Sequence, residues 1–159
     1  MTDTPPTRVG FSPDEIDTSA PTRSARLKWV VVVDEALPPG RAVNAAVCVS
    51  AATAAGVDGL LGPSVRDAAG SPHPGLPWAG CTVLAADAAT LRTIRERAEA
   101  HEGTFVADMP AAAQATRVYD EYLDAVSTST PDEVDYLAVS LVGPKNRIDK
   151  IVGRLRLLA

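Results

Sequence analysis

Four apolar runs alternate along this chain with stretches whose apolar residues recur at helical spacing. The first run, Leu27 to Asp34, is continuous and β-branched, which fits a strand buried on both faces as in the centre of a parallel sheet. From Arg41 to Ala55 the spacing predicts a helix with Val43, Ala46, Val47 and Ala54 along one face, ended by Gly56. Cys81 to Ala86 reads as a second strand, and Asp87 as the cap of a helix reaching about Ala100 with Leu91, Ile94 and Ala98 inward. Thr104 to Ala107 forms a short third strand. A helix over about 111–126 follows, with Ala115, Val118, Tyr119, Tyr122 and Val126 on its apolar face. Tyr136 to Val142 is the fourth strand, and Pro144 opens a last helix striped by Ile148, Ile151, Val152 and Leu155. Strands alternating with helices predict a three-layer α/β/α sandwich around a four-stranded mixed, mostly parallel sheet.

Two segments carry no such period. Residues 1–26 mix Pro5, Pro6, Pro13 and Pro21 with Thr, Ser and Asp, so they are expected to form a disordered or loosely docked tail before one α/β domain over 27–159. Phe11 and Ile16 are the tail residues able to dock on the body or on a neighbouring copy. Residues 56–79 are rich in Gly and Pro and read as a long irregular excursion, a feature often tied to function.

Composition narrows the function classes. Fifteen basic and twenty acidic residues give a formal charge of −5, which argues against nucleic-acid binding because phosphate recognition relies on a basic surface. Cys48 and Cys81 form no C-x-x-C pair, so neither a disulfide framework nor a metal site is expected, and no motif indicates a cofactor. No apolar run is long enough to span a membrane and the N-terminus does not read as a secretory signal, so the expected location is cytoplasmic.

Lys28-Trp29-Val30-Val31-Val32-Val33, Gly40 and Ala45-Ala46-Val47-Cys48 are similar to the opening of type II peptidyl-tRNA hydrolases. Leu137-Ala138-Val139-Ser140-Leu141-Val142-Gly143-Pro144, followed by Ile148-Asp149-Lys150-Ile151-Val152-Gly153, resembles that family's ending. The middle, Asp67-Ala68-Ala69-Gly70-Ser71-Pro72-His73-Pro74-Gly75-Leu76, resembles the family called domain of unknown function 2000, to which the chain is assigned. That resemblance implies a peptidyl-tRNA hydrolase II-like fold and brings no activity with it. Against the hydrolase pattern, Arg41 falls on the first lysine, Val43 on the functional lysine, Val47 on the glutamine, Cys48 on the cysteine and Ser50 on the histidine. Asp108 falls on the catalytic aspartate, while Thr128 or Thr130 would stand for the family's later threonine. A valine neither donates to nor stabilises an oxyanion, so peptidyl-tRNA hydrolysis is not expected.

The candidate site lies at the carboxyl edge of the sheet, where α/β proteins bind ligands. Asp34 and Asp108 end strands there, and two carboxylates in one cleft suit acid–base work when their environments differ; each equally suits a turn or helix cap. Arg41, Asn44 and Cys48 share one side of the first helix as candidate ligand-binding groups, the guanidinium suiting a carboxylate or phosphate. Cys48 also fits a small buried core position. His73, fixed between Pro72 and Pro74, is a candidate base with Asp67 as its orienting carboxylate, or else a polar cap on a stiff loop. Trp78 either walls a pocket or docks the loop on the core. The leading expectation is a domain that binds or acts on an unknown small molecule, with His73, Asp108 and Arg41 facing one cleft. The alternatives are an interaction module that forms a homodimer, or a residual hydrolase.

Overall fold

The computed structural model describes residues 8–159, whose backbone sets one four-stranded sheet between two helical layers. In chain order the elements are β1 (Leu27–Asp34), α1 (Pro39–Gly56), a small hairpin of β2 (Val65–Arg66) and β3 (Pro72–His73), and β4 (Thr82–Ala86). There follow α2 (Ala88–Glu99), β5 (Phe105–Pro110), α3 (Ala112–Ala115), α4 (Tyr119–Ser127), β6 (Tyr136–Pro144) and α5 (Lys145–Val152).

The strand order is β4-β1-β6-β5. β1 runs parallel to β4, with Val30 opposite Thr82, but antiparallel to β6, with Leu27 opposite Pro144. β5 is also antiparallel to β6. The sheet is therefore mixed, with one parallel pair, and the expectation of a mostly parallel sheet is corrected. The reason is the segment joining β5 to β6. A parallel return needs a crossover along the whole sheet. Here α3 and α4 stay at the end where β5 finishes: Ala111 donates its backbone N–H to Asp135 O at 2.8 Å, and Pro110 stands opposite Tyr136. Starting from that end, β6 has to run back against β5 and β1.

Alternation along β1 builds the two cores. Trp29, Val31 and Val33 face α1, meeting Ala42, Ala45 and Val49. Val30 and Val32 face α2 and α5, meeting Leu91, Ile94, Ile148 and Ile151. Asp87 caps α2 as its sequence indicates, accepting from Thr90 N–H at 2.7 Å.

Two helices depart from the pattern read in the sequence. α1 buries Ala42, Ala45, Val49 and Thr53, leaving Val43 and Val47 each 60% exposed. With alanines on every side, the apolar pattern does not fix which stripe faces the sheet. The single helix expected over 111–126 is instead two, interrupted around Thr116–Val118, and Val118, Tyr119 and Leu123 are exposed.

Residues 8–26 lie against the body. Phe11 is 5% exposed within the α1-side core, its ring edge-on to Trp78 at 4.8 Å, and its N–H donates to Asp58 O at 2.8 Å. Arg26 pairs with Glu15 and donates to Gly10 O, tying the tail to the start of β1. At the other end of the chain, Arg156 and Leu158 pair with the free side of β4, covering that sheet edge. Among the described residues, no helix is long and apolar enough to cross a membrane.

Candidate functional site

β5 is an edge strand, and an open pocket of about 510 Å³ lies along it. Cys48 and Ala52 from α1 form one wall, Asp108 and Met109 from β5 another, and Thr116, Arg117, Tyr119 and Tyr122 complete it. The interruption between α3 and α4 makes this possible, since it carries Thr116, Arg117 and Val118 across the mouth instead of along one straight helix. Tyr119 and Tyr122 meet edge to face at 5.4 Å; Tyr122 is half-buried while Tyr119 is 73% exposed.

Asp108 is not a free carboxylate. Its Oδ2 accepts from Arg95 Nε at 2.7 Å, and Arg95 also grips Glu99 and lies over the Tyr136 ring, 5.1 Å from its centroid. Both members of the Asp108–Arg95 pair are mostly shielded from solvent, so the pair is held more firmly than a surface ion pair. Burial, followed by the Asp108 charge, pushes the Tyr122 phenol above its ordinary value, so Tyr122 is a neutral hydrogen-bonding group at pH 7. Cys48 is exposed rather than buried in the core, as a thiol midway along α1 without the dipole of a helix start to activate it.

The remaining candidates fall in separate places. Arg41 donates through Nε to Gln114 Oε1 at 2.7 Å, and Gln114 Nε2 returns hydrogen bonds to Arg41 O and Asn44 Oδ1. These residues frame a shallower hollow of about 360 Å³ with Gly40 and Ala113. Asp34 turns back to accept from Ala36 N–H at 2.9 Å, a local turn contact. His73 sits on the exposed hairpin, its Nε2 3.4 Å from Asp67 Oδ2, and does not line the pocket holding Cys48 and Asp108. Amides of the hairpin turn, Ser71 first, and then His73 hold the Asp67 carboxyl below its usual range. Trp78 docks the loop: its Nε1 donates to Gly59 O at 2.8 Å and its ring packs on Phe11. Thus Cys48 and Asp108 come together, Arg41 and Asn44 come together, and His73 joins neither group.

Sequence reasoning missed Arg95, Gln114 and Arg117. Arg95 carries no motif, and Gln114 reaches Arg41 from a distant part of the chain, so neither left a local signal. Among the described residues, no three His, Cys, Asp or Glu side chains gather in a way that would hold a metal ion.

Residues 27–159 match the family described as Protein of unknown function (DUF2000). The chain belongs to this family. Its fold is similar to that of a solved protein of unknown function from Agrobacterium tumefaciens, with a TM-score of 0.78 at 22% identity, covering 84% of this chain and 98% of that one. No curated protein matches. The likeness establishes a shared fold over that share of the chain.

Proposed function

We propose that the pocket between α1, β5 and the α3–α4 break binds a small molecule, and that the fold is that of the type II peptidyl-tRNA hydrolases with their chemistry lost. One observation carries the first part: Cys48 and Asp108, far apart in sequence, line one pocket together with Arg117, Tyr119 and Tyr122. Its walls offer two ring faces, a guanidinium and a neutral phenol, a set suited to an aromatic or short aliphatic molecule with one polar end. Asp108 acts there as the anchor of Arg95, to which one of its two carboxylate oxygens is committed.

The loss of hydrolysis is supported by Val43 and Val47, which stand on the exposed side of α1 with no hydrogen-bonding group to offer an ester or its oxyanion. Pure protein is expected to leave a peptidyl-tRNA substrate intact; turnover above the uncatalysed rate overturns this part. The binding part is tested by ligand-observed NMR with a set of small aromatic acids and amides. Binders are expected, and Ala52→Trp, which fills the pocket from α1, is expected to abolish their signals. Absence of binders, or binders indifferent to Ala52→Trp, overturns it.

A second reading has its own observation. Between Pro39 and Gly56 the only charged residue is Arg41, and Val43, Val47, Ala51, Ala54 and Ala55 are all exposed. With a formal charge of −5, two copies repel except through an uncharged face such as this one, and small residues let two α1 helices approach closely. A homodimer through α1 would need to bury at least about 1,000 Å². Sedimentation is expected to give a dimer that Val43→Glu with Val47→Glu converts to a monomer; a native monomer at all concentrations removes this reading.

A further inference from the structure

A second groove, of about 470 Å³, lies away from the pocket described above, where β6 hands over to α5. Its lining includes Arg23, Lys28 and Lys145, the hydroxyl residues Thr22 and Thr82, and a single carboxylate, Asp149. Three cations against one anion in a chain of net charge −5 mark a local reversal of the protein's field. Asp149 is engaged with Lys28, its Oδ1 2.6 Å from Lys28 Nζ. Among the described residues, neither Arg23 nor Lys145 has a carboxylate within ion-pair distance. Lys145 is moreover half-buried at the groove wall.

The helix start adds a second source of positive potential. α5 begins at Lys145, its N-cap position is Pro144, no side chain caps it, and its first turn holds no acidic residue. Lys145, the first residue of that turn, lines the groove, and the positive end of the helix dipole has no side-chain cap there. Helix N-termini with neighbouring lysine, arginine and hydroxyl groups are the usual setting for phosphate. A carboxylate offers two oxygens in a plane. The donors here come from β1, β4, α5 and the 22–24 turn, so they approach from several directions and match a tetrahedral group better. The remaining lining, Leu27, Trp29 and Ala79, supplies an apolar wall for the body of a ligand.

We propose that this groove is an anion site for the phosphate group of a small phosphorylated molecule, with Arg23 and Lys145, the latter at the start of α5, as its receptors and Thr22 and Thr82 as hydroxyl donors. Cys81, also in the lining, takes no part as a nucleophile: the residue is exposed, but desolvation of its thiol by the surrounding walls pushes it up to about 12, so it stays protonated at neutral pH. Lys28 is held in reserve by Asp149, which makes the site adjustable. Neutralising Asp149 releases a third cation to the ligand.

The test is an amide NMR titration of the full chain with inorganic phosphate at constant ionic strength, with acetate as a parallel arm. Saturable shifts confined to residues 22–29, 79–82 and 144–148 are expected with phosphate and weaker ones with acetate. Arg23→Gln with Lys145→Gln, checked for an unchanged melting temperature, is expected to weaken phosphate binding by about tenfold or more. Asp149→Asn is expected to tighten it. No saturable shift, equal binding of acetate, or affinities untouched by both variants would overturn the proposal. Because neither variant alters the pocket at Cys48 and Asp108, failure here leaves the small-molecule reading of that pocket standing.

Discussion

The indole Nε1 of Trp29 donates a hydrogen bond to Ser140 Oγ at 2.8 Å in the middle of the α1-side core. Ser140 Oγ lies 2.7 Å from Thr53 Oγ1, which is in turn 2.7 Å from Val49 O. One donor order satisfies every group: the indole donates to Ser140, Ser140 to Thr53, and Thr53 to the helix carbonyl. This chain ties β1, β6 and α1 together through buried polar atoms, and such a network stabilises only when complete. Ser140→Ala leaves the indole N–H without an acceptor and is expected to cost about 1–3 kcal/mol. Urea unfolding with an unchanged slope measures it; a cost below about 0.5 kcal/mol shows that the network contributes little.

Phe11 predicts a cost of a different kind. It fills the space between Trp78 and α1's core, so Phe11→Ala opens a cavity and is expected to destabilise by about 3 kcal/mol. Truncation of residues 1–26 should do at least as much harm. Thermal unfolding within a degree or two of the parent in either variant contradicts the role given to Phe11.

The Glu15–Arg26 pair gives this docking a pH dependence. The hydrogen bond to Arg26, then the Ser12 amide, lowers the Glu15 pKa to about 2. An ordinary glutamate titrates near 4.3. A folded-state pKa below the unfolded one means the stabilisation is present above about pH 4.3 and is lost as pH falls toward 2. Proteolytic sensitivity of the tail should therefore rise across that window, and Glu15→Gln should flatten the rise. Equal profiles in the two proteins would falsify the assignment.

At the β5 pocket, Asp108→Asn removes a negative charge that helps keep Tyr122 protonated. The Tyr122 phenol is expected to titrate at lower pH in this variant, though still above an exposed tyrosine because burial, the larger cause, remains. NMR of labelled tyrosine ring signals through alkaline pH reads the shift. An unmoved Tyr122 titration would separate Asp108 from the pocket electrostatically.

Thr104 Oγ1 is a buried hydroxyl without a hydrogen-bond partner, close to Gly143 and Ile148. Thr104→Val keeps its shape and removes the unmet polar group, so a neutral or stabilising change of up to about 1 kcal/mol is expected. A loss larger than that in denaturant unfolding points to a polar contact the hydroxyl makes.

What the sequence determined by itself was the set of elements with strong, unambiguous periods. The β-branched run of β1, the apolar β6, the Asp87 cap of α2 and the Ile148–Ile151 stripe of α5 each announce their structure locally, because burial on a strand or helix face imposes a period a reader can see. Direction and rotation are different quantities. That β6 runs against β1 depends on where α3 and α4 leave the chain, and an apolar run reads the same in either direction. That α1 exposes Val43 and Val47 while burying Ala42, Ala45 and Thr53 depends on the close approach of small side chains to the sheet, and an alanine-rich helix has no stripe to announce it. The sites follow the same division. Asp108 was legible as a carboxylate on the third strand, but the strand runs past it to Pro110, and its commitment to Arg95, the joining of Arg41 to Gln114 and the seating of Phe11 are long-range pairings between residues that carry no local mark. Only packing, which brings distant residues to hydrogen-bonding distance while excluding water, decided them.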